Sequence, residues 1–317
     1  MSALRPKYYQ VRQALETFDD NKKTNNVVLF FLNKYKFPIV TISIILIAII
    51  ITIAVTPTPD PTTDNSTEKA EKAAMKTLKD LLNEEDYVKF VTELRQNIKD
   101  QKFIDAIRAL SAQSKRIKYN ENLIKYVRNM IPTQNEIDLN KSLLYPLTDP
   151  FVIHQCFSNS PVALGCAKVV TSCDGKYIID GHHRWSQVFV INPDCKYQCL
   201  DLTELCSPFD ALKAAEIGIA GDLKDVPIAE VKGINLLTID EATLSTFIKE
   251  KMTADVIRAF AYYGKGTTVE GITSYIYGNI KLMQTNNKPI PNAPSRNVMP
   301  QTNLSKNWLD YMLSTNS

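Results

Sequence analysis

No ionisable side chain occurs between Phe37 and Pro59, and the 17 residues from Ile39 to Val55 are uninterrupted by charge. A bilayer-crossing helix needs about 20 mostly apolar residues, so this gap predicts a transmembrane helix over residues 37–56, with the lipid bilayer as a partner. No small-residue cleavage site follows it and it starts far from Met1, which argues against a cleavable signal peptide. Acidic residues are few ahead of it: Glu16, Asp19 and Asp20 stand against seven basic residues, Arg5, Lys7, Arg12, Lys22, Lys23, Lys34 and Lys36. The positive-inside bias then places arm 1–36 in the cytoplasm and the rest of a single-pass chain on the far side of the membrane.

Basic excess is missing elsewhere. Beyond residue 36 there are 30 basic and 31 acidic residues, a balance that disfavours tight binding of a long nucleic acid, whose phosphates demand a basic face. Strict heptads and internal repeats are also lacking, which argues against a coiled coil. Histidine and glycine are thin, with three and ten in 317 residues, so the place where they gather is informative.

Around these absences the chain divides. Residues 57–66, within "TPTPDPTTDNST", read as an extended Pro/Thr-rich linker. Sequons at Asn65, Asn140 and Asn303 would be glycosylation acceptors on the far side of a membrane. Residues 67–130 repeat apolar side chains at three and four (Ala74, Leu78, Leu81, Leu82, then Val88, Val91, Leu94, Ile98) and predict a helical stalk or packing collar of three or four helices, including "NENLIKYVRNMI". Residues 131–278 predict an α+β domain: strands at 166–170 and 176–180 joined at Asp174-Gly175, a helix at about 182–191, a strand in "KYQCLDL", and a helix capped by Ser207 with Pro208 in its first turn. Residues 279–317 form a polar tail, read as disordered or surface-wrapping, with a short amphipathic "NWLDYML".

Two of the three histidines fall in "KYIIDGHHRWSQVFVI", residues 176–191. The pattern predicts a strand ending at Asp180, a turn at Gly181 and a helix opening on His182, His183 and Arg184. Helix N-termini attract anions, glycine lets an anion approach the backbone, and arginine grips phosphate with paired hydrogen bonds. Gly181, His182, His183 and Arg184 are therefore the candidate phosphate-binding residues. Asp180, His182 and His183 are the candidate catalytic groups: a histidine as general acid/base, and Asp180 orienting it or holding Mg²⁺ as a metal ligand.

"YIIDGHHRWSQ", preceded by "PVALGCAKVVTSCDGK" and "IPTQNEID", resembles the ParB/sulfiredoxin-like superfamily, and within it a putative nuclease group with an Asp-Gly-His-His-Arg motif. The resemblance covers roughly residues 130–260. It implies a ParB/sulfiredoxin-like fold following the membrane helix and stalk, with phosphate held at the helix N-terminus. Gly181 and Arg184 match the phosphate loop of the partition proteins, Gly-Glu-Arg-Arg. Gly181, His183 and Arg184 match that of the sulfiredoxins, Gly-Cys-His-Arg, but His182 stands where they carry the catalytic cysteine.

All six cysteines, Cys156, Cys166, Cys173, Cys195, Cys199 and Cys206, lie within 51 residues. Disulfides, a zinc set of Cys195, Cys199 and Cys206 with His154 or another cysteine as the fourth ligand, and free buried thiols are the three readings. Two function classes follow: a membrane-anchored phosphate-ester hydrolase, nuclease or nucleotide-dependent phosphoryl-transfer enzyme binding a nucleotide rather than a long nucleic acid, or a non-catalytic binding or structural protein that keeps the fold. An anchor, clustered thiols and a short tail also fit a virion or envelope component of a large DNA virus.

Overall fold

The computed structural model describes residues 61–314, apart from Cys166 and Val231. The described residues from 65 on form one compact unit, which takes in both sides of the boundaries expected at 130/131 and 278/279. The unit is α+β, built on a five-stranded mixed sheet.

Three helices come first: α1 (Pro61–Leu82), α2 (Tyr87–Asn97) and α3 (Gln101–Gln113). Asp86 and Asp100 cap α2 and α3 by accepting backbone N–H groups, which satisfies donors that a helix start leaves open. Next come β1 (Asn120–Tyr126), β2 (Ile131–Pro132), α4 (Leu139–Thr148) and α5 (Pro150–Cys156). The hairpin β3 (Val169–Ser172) and β4 (Tyr177–Asp180) leads into α6 (His182–Ile191), β5 (Lys196–Leu202) and α7 (Pro208–Leu223). The chain closes with α8 (Glu241–Lys251), α9 (Ala254–Tyr262), α10 (Val269–Asn286) and α11 (Trp308–Tyr311).

The sheet order is β1-β5-β3-β4-β2. β1 runs antiparallel to β5 and β3 to β4, while β3/β5 and β2/β4 are parallel. Side chains alternate across a strand, and both faces are covered here. Val170, Ile179 and Leu202 enter one hydrophobic cluster with α1–α3 and α7; Val169, Ile178 and Cys199 enter the other with α4–α6 and α8–α10. That double burial is why "VV" and "II" appear as doublets rather than alternating with polar residues.

Several expectations change. Helices α1–α3 are a layer of the core, not a stalk: Leu78, Phe90, Val91, Leu94 and Ile107 are fully buried against it. "NENLIKY" is the strand β1, because pairing with β5 outweighs an apolar spacing that fitted a helix equally well. The tail is not disordered: Val298, Met299, Trp308, Met312 and Leu313 are buried in the first cluster. The membrane reading is also corrected. The segment expected to span, residues 37–56, lies outside the described residues, and among the described residues no helix is long and apolar enough to cross a membrane. The longest, α1, has 22 residues but is studded with lysines and acids, and α7 is apolar but has 16, short of the roughly 20 a span requires. The single-pass fold class and the membrane localisation are therefore not carried forward.

The cysteines divide. Cys173 in the β3–β4 turn is bonded to Cys206 before α7, closing 33 residues of sequence, a loop length at which a disulfide contributes about 3–4 kcal/mol by the chain-entropy argument. Cys156, Cys195 and Cys199 are free and buried, and Cys166 lies outside the described residues. With Cys206 in a disulfide the zinc set is broken, and no group of three metal-ligating side chains occurs among the described residues.

Candidate anion site at the start of α6

The site begins at the β3–β4 turn. Buried Asp201 of β5 accepts from Thr171 Oγ1 (2.7 Å), Gly175 N–H (2.8 Å) and Asp174 N–H (3.1 Å), fixing the hairpin and so the end of β4. Asp180 closes β4. Its Oδ1 accepts from Gly181 N–H at 2.6 Å, and its Oδ2 accepts from both the N–H and the hydroxyl of Thr302. Gly181 then turns at φ 92°, a left-handed conformation that glycine adopts without strain. A Cβ there would lie 2.8 Å from Arg184 Nη2 and 3.1 Å from Val169 Cγ2, so glycine also makes room for the guanidinium folded over it. No side chain caps α6.

Trp185 and Phe189 anchor α6. Both are fully buried, their rings 5.3 Å apart, and the indole N–H donates to Val127 O at 2.9 Å.

The two histidines are braces. Thr133 N–H donates to His182 Nε2 (3.1 Å) and Asp138 N–H donates to His183 Nε2 (3.1 Å). His182 Nε2 is thus an acceptor, which puts that ring's proton on Nδ1, and together the two rings tie the 133–138 loop to α6. Burial, followed by the charge of Arg296, lowers the pKa of His182 to about 3 and that of His183 to about 2. Both are neutral at pH 7, with their basic nitrogens occupied. A group that weakly basic is a poor general base at neutral pH.

Asp180 is equally committed, since its two oxygens already accept three hydrogen bonds. The residues present do not fit a Mg²⁺ site, which needs several free oxygen ligands.

The sequence did not point to the fourth wall. Arg296, Gln301 and Asn303, from the tail, line a pocket of about 190 Å³ together with Gln134 and residues 180–184. Arg296 Nη1 lies 2.8 and 2.7 Å from the two ring nitrogens of His183. Its backbone is held from behind: Arg296 N–H donates to Glu136 Oε2 (3.2 Å), Arg95 Nη2 donates to Asn297 O (2.7 Å) and the Tyr87 hydroxyl donates to Val298 O (2.7 Å). Arg184 Nη2 donates to Lys168 O at 3.0 Å.

The electrostatics of these two arginines differ from those of the surface. Arg116, Arg128 and Arg258 pair with Asp310, Asp194 and Asp255. Arg184 and Arg296 form no ion pair among the described residues, and the Nε of each, like that of Arg95 outside the pocket, is buried without a hydrogen-bond partner in the protein. Burial lowers the pKa of Arg296, opposed by Asp138, Asp180 and Glu136, but arginine keeps its proton in proteins. None of those three carboxylates forms an ion pair with the guanidinium: Asp138 accepts from Lys141 N–H, Glu136 from Arg296 N–H and Asp180 as described.

Behind β4 sits one further acid. Glu216 of α7 is 1% exposed, its Oε1 is 3.5 Å from the Tyr87 hydroxyl, and its Oε2 has no partner. Burial raises its pKa to about 8, with Arg95 and Tyr87 opposing and Asp180 reinforcing the shift.

The chain matches no protein-family model, no curated protein and no solved structure. The likeness to the ParB/sulfiredoxin-like superfamily accordingly rests on the motif and its strand–turn–helix setting.

Proposed function

We propose that this protein binds a phosphate group between Arg184 and Arg296 at the start of α6, as a binding module rather than a hydrolase. The observation that carries this reading is the convergence of two guanidinium groups on one pocket with no carboxylate partner and with buried, unsatisfied Nε donors. Leaving a charged donor buried and unpaired costs more than an ordinary lost hydrogen bond, and an oxyanion supplies the missing acceptors in the planar, two-donor geometry arginine prefers. The ParB-like motif agrees, since Gly181 and Arg184 are the positions it shares with phosphate loops. Hydrolysis is disfavoured because both histidines have their basic nitrogens occupied and Asp180 already accepts three hydrogen bonds.

The test compares thermal unfolding of the full chain in sodium phosphate and in sodium chloride at equal ionic strength and pH 7. Phosphate at about 100 times its dissociation constant stabilises by roughly 2.7 kcal/mol, which for a domain of this size raises Tm by roughly 5–10 °C. Equal Tm values in the two salts up to 50 mM phosphate (about the upper end of a useful screen) would remove the reading. Turnover of a generic phosphomonoester that His183→Gln abolishes would restore the hydrolase.

A further inference from the structure

Building on that reading of the pocket, we infer that its ligand is a small hydroxylated phosphomonoester, a sugar or polyol phosphate, rather than a nucleotide. Three observations on the lining carry this.

The first is size. At about 190 Å³ the pocket falls below the roughly 300–1,000 Å³ of cavities that enclose a drug-sized ligand, so a whole nucleotide would not be enclosed. The second is the nature of the walls. Apart from the two imidazoles, the lining has no aromatic or aliphatic side chain. A nucleobase is ordinarily held by stacking or in an apolar slot, and neither is offered.

The third is the placement of acceptors. Gln134 is 3% exposed and donates its amide to Glu136 O. Gln301 donates its amide to Met299 O and Pro300 O, both at 3.1 Å. Because these partners are carbonyls, the end of each amide that faces them is the NH₂, and the other end is a carbonyl oxygen with no partner among the described residues. The orthophosphate dianion, HPO₄²⁻, carries one hydroxyl donor for these two acceptors, so at least one of them stays unused. They fit hydroxyl donors carried on the same ligand as the phosphate, at a net contribution per hydrogen bond that corresponds to about 2- to 12-fold in affinity.

The experiment is a calorimetric titration of the full chain with orthophosphate, ribose 5-phosphate, adenosine 5′-monophosphate and ATP, repeated with Gln301→Leu. Ribose 5-phosphate is expected to bind about 10-fold tighter than orthophosphate, the adenine nucleotides no tighter than ribose 5-phosphate, and Gln301→Leu to shrink the advantage of ribose 5-phosphate over orthophosphate. Nucleotides binding 10-fold or more tighter than ribose 5-phosphate (about 1.4 kcal/mol), or ribose 5-phosphate binding no tighter than orthophosphate, would overturn the inference while leaving the anion site standing. No binding of any of the four would overturn both.

Discussion

Stability is expected to peak near pH 6.5 and to decline as the pH climbs toward 8, and Glu216→Gln is expected to abolish the decline. Glu216 is a fully buried carboxyl on α7 whose pKa is raised to about 8. Its folded form therefore holds a proton that the unfolded chain releases near pH 4.5, and stability falls wherever the folded state binds more protons. The slope is about 1.4 kcal/mol per pH unit, so roughly 2 kcal/mol is lost between pH 6.5 and 8. His182 and His183 act in the opposite sense. Their folded pKa values lie near 3 and 2, so below about pH 6.5 the unfolded chain takes up protons that the folded chain refuses, and stability falls with acid. Two histidines outweigh one glutamate below that pH, and above it only Glu216 remains, which sets the maximum. At pH 9 Glu216→Gln should be more stable than the wild type by something on the order of 4 kcal/mol, and at pH 5 nearly equal to it. Denaturant unfolding across pH 5–9 reads this directly. A variant destabilised by several kcal/mol at every pH would mean that Glu216 is ionised and paired with Arg95.

Loss of either arginine should cost phosphate binding about 10- to 150-fold, since a hydrogen bond to a charged group contributes roughly 1.5–3 kcal/mol. Arg184→Ala also gives up the bond to Lys168 O, so folding should be checked by unfolding curves before affinity is compared. Arg296→Ala is the more discriminating change. Arg296 comes from the tail, 112 positions along the chain from Arg184, and its loss removes one wall of the pocket while α6 stays anchored by Trp185 and Phe189. Lysine at either position should restore little, because a point charge does not reproduce the planar fork. Wild-type affinity in Arg296→Ala, measured by calorimetry, would show that Arg296 takes no part in the site.

The strand–Gly181–helix element was legible because each local signal agreed: a β-rich run, an Asp-Gly turn, then Trp185, Val188 and Phe189 at helical spacing. Arg184 was legible from the same motif. The burial of the histidines was not, because the donors that occupy them, the N–H groups of Thr133 and Asp138, come from a loop some 45–49 residues away, and nothing local to the motif encodes that approach. β1 was misread because Leu123, Ile124, Val127 and Met130 fit a helical period as well as an edge strand beside β5. The tail hid both its burial and Arg296. Val298, Met299, Trp308 and Met312 follow no regular spacing, since the segment packs through turns and two short 3-10 helices, and a lone arginine among prolines carries no periodic signal. The cysteine pairing followed from the meeting of the β3–β4 turn with the α7 approach, which composition alone does not specify.

The central claim is that Arg184 and Arg296 together hold one phosphate group. The measurement that addresses it most directly follows the arginine Nε–H signals of the full chain by ¹H–¹⁵N NMR during titration with orthophosphate, with Arg184→Lys and Arg296→Lys supplying the assignments. The account predicts that these two signals shift together along one saturable curve while those of Arg116, Arg128 and Arg258 stay in place. Two signals that remain still, or that drift without saturation alongside every other arginine, would contradict it.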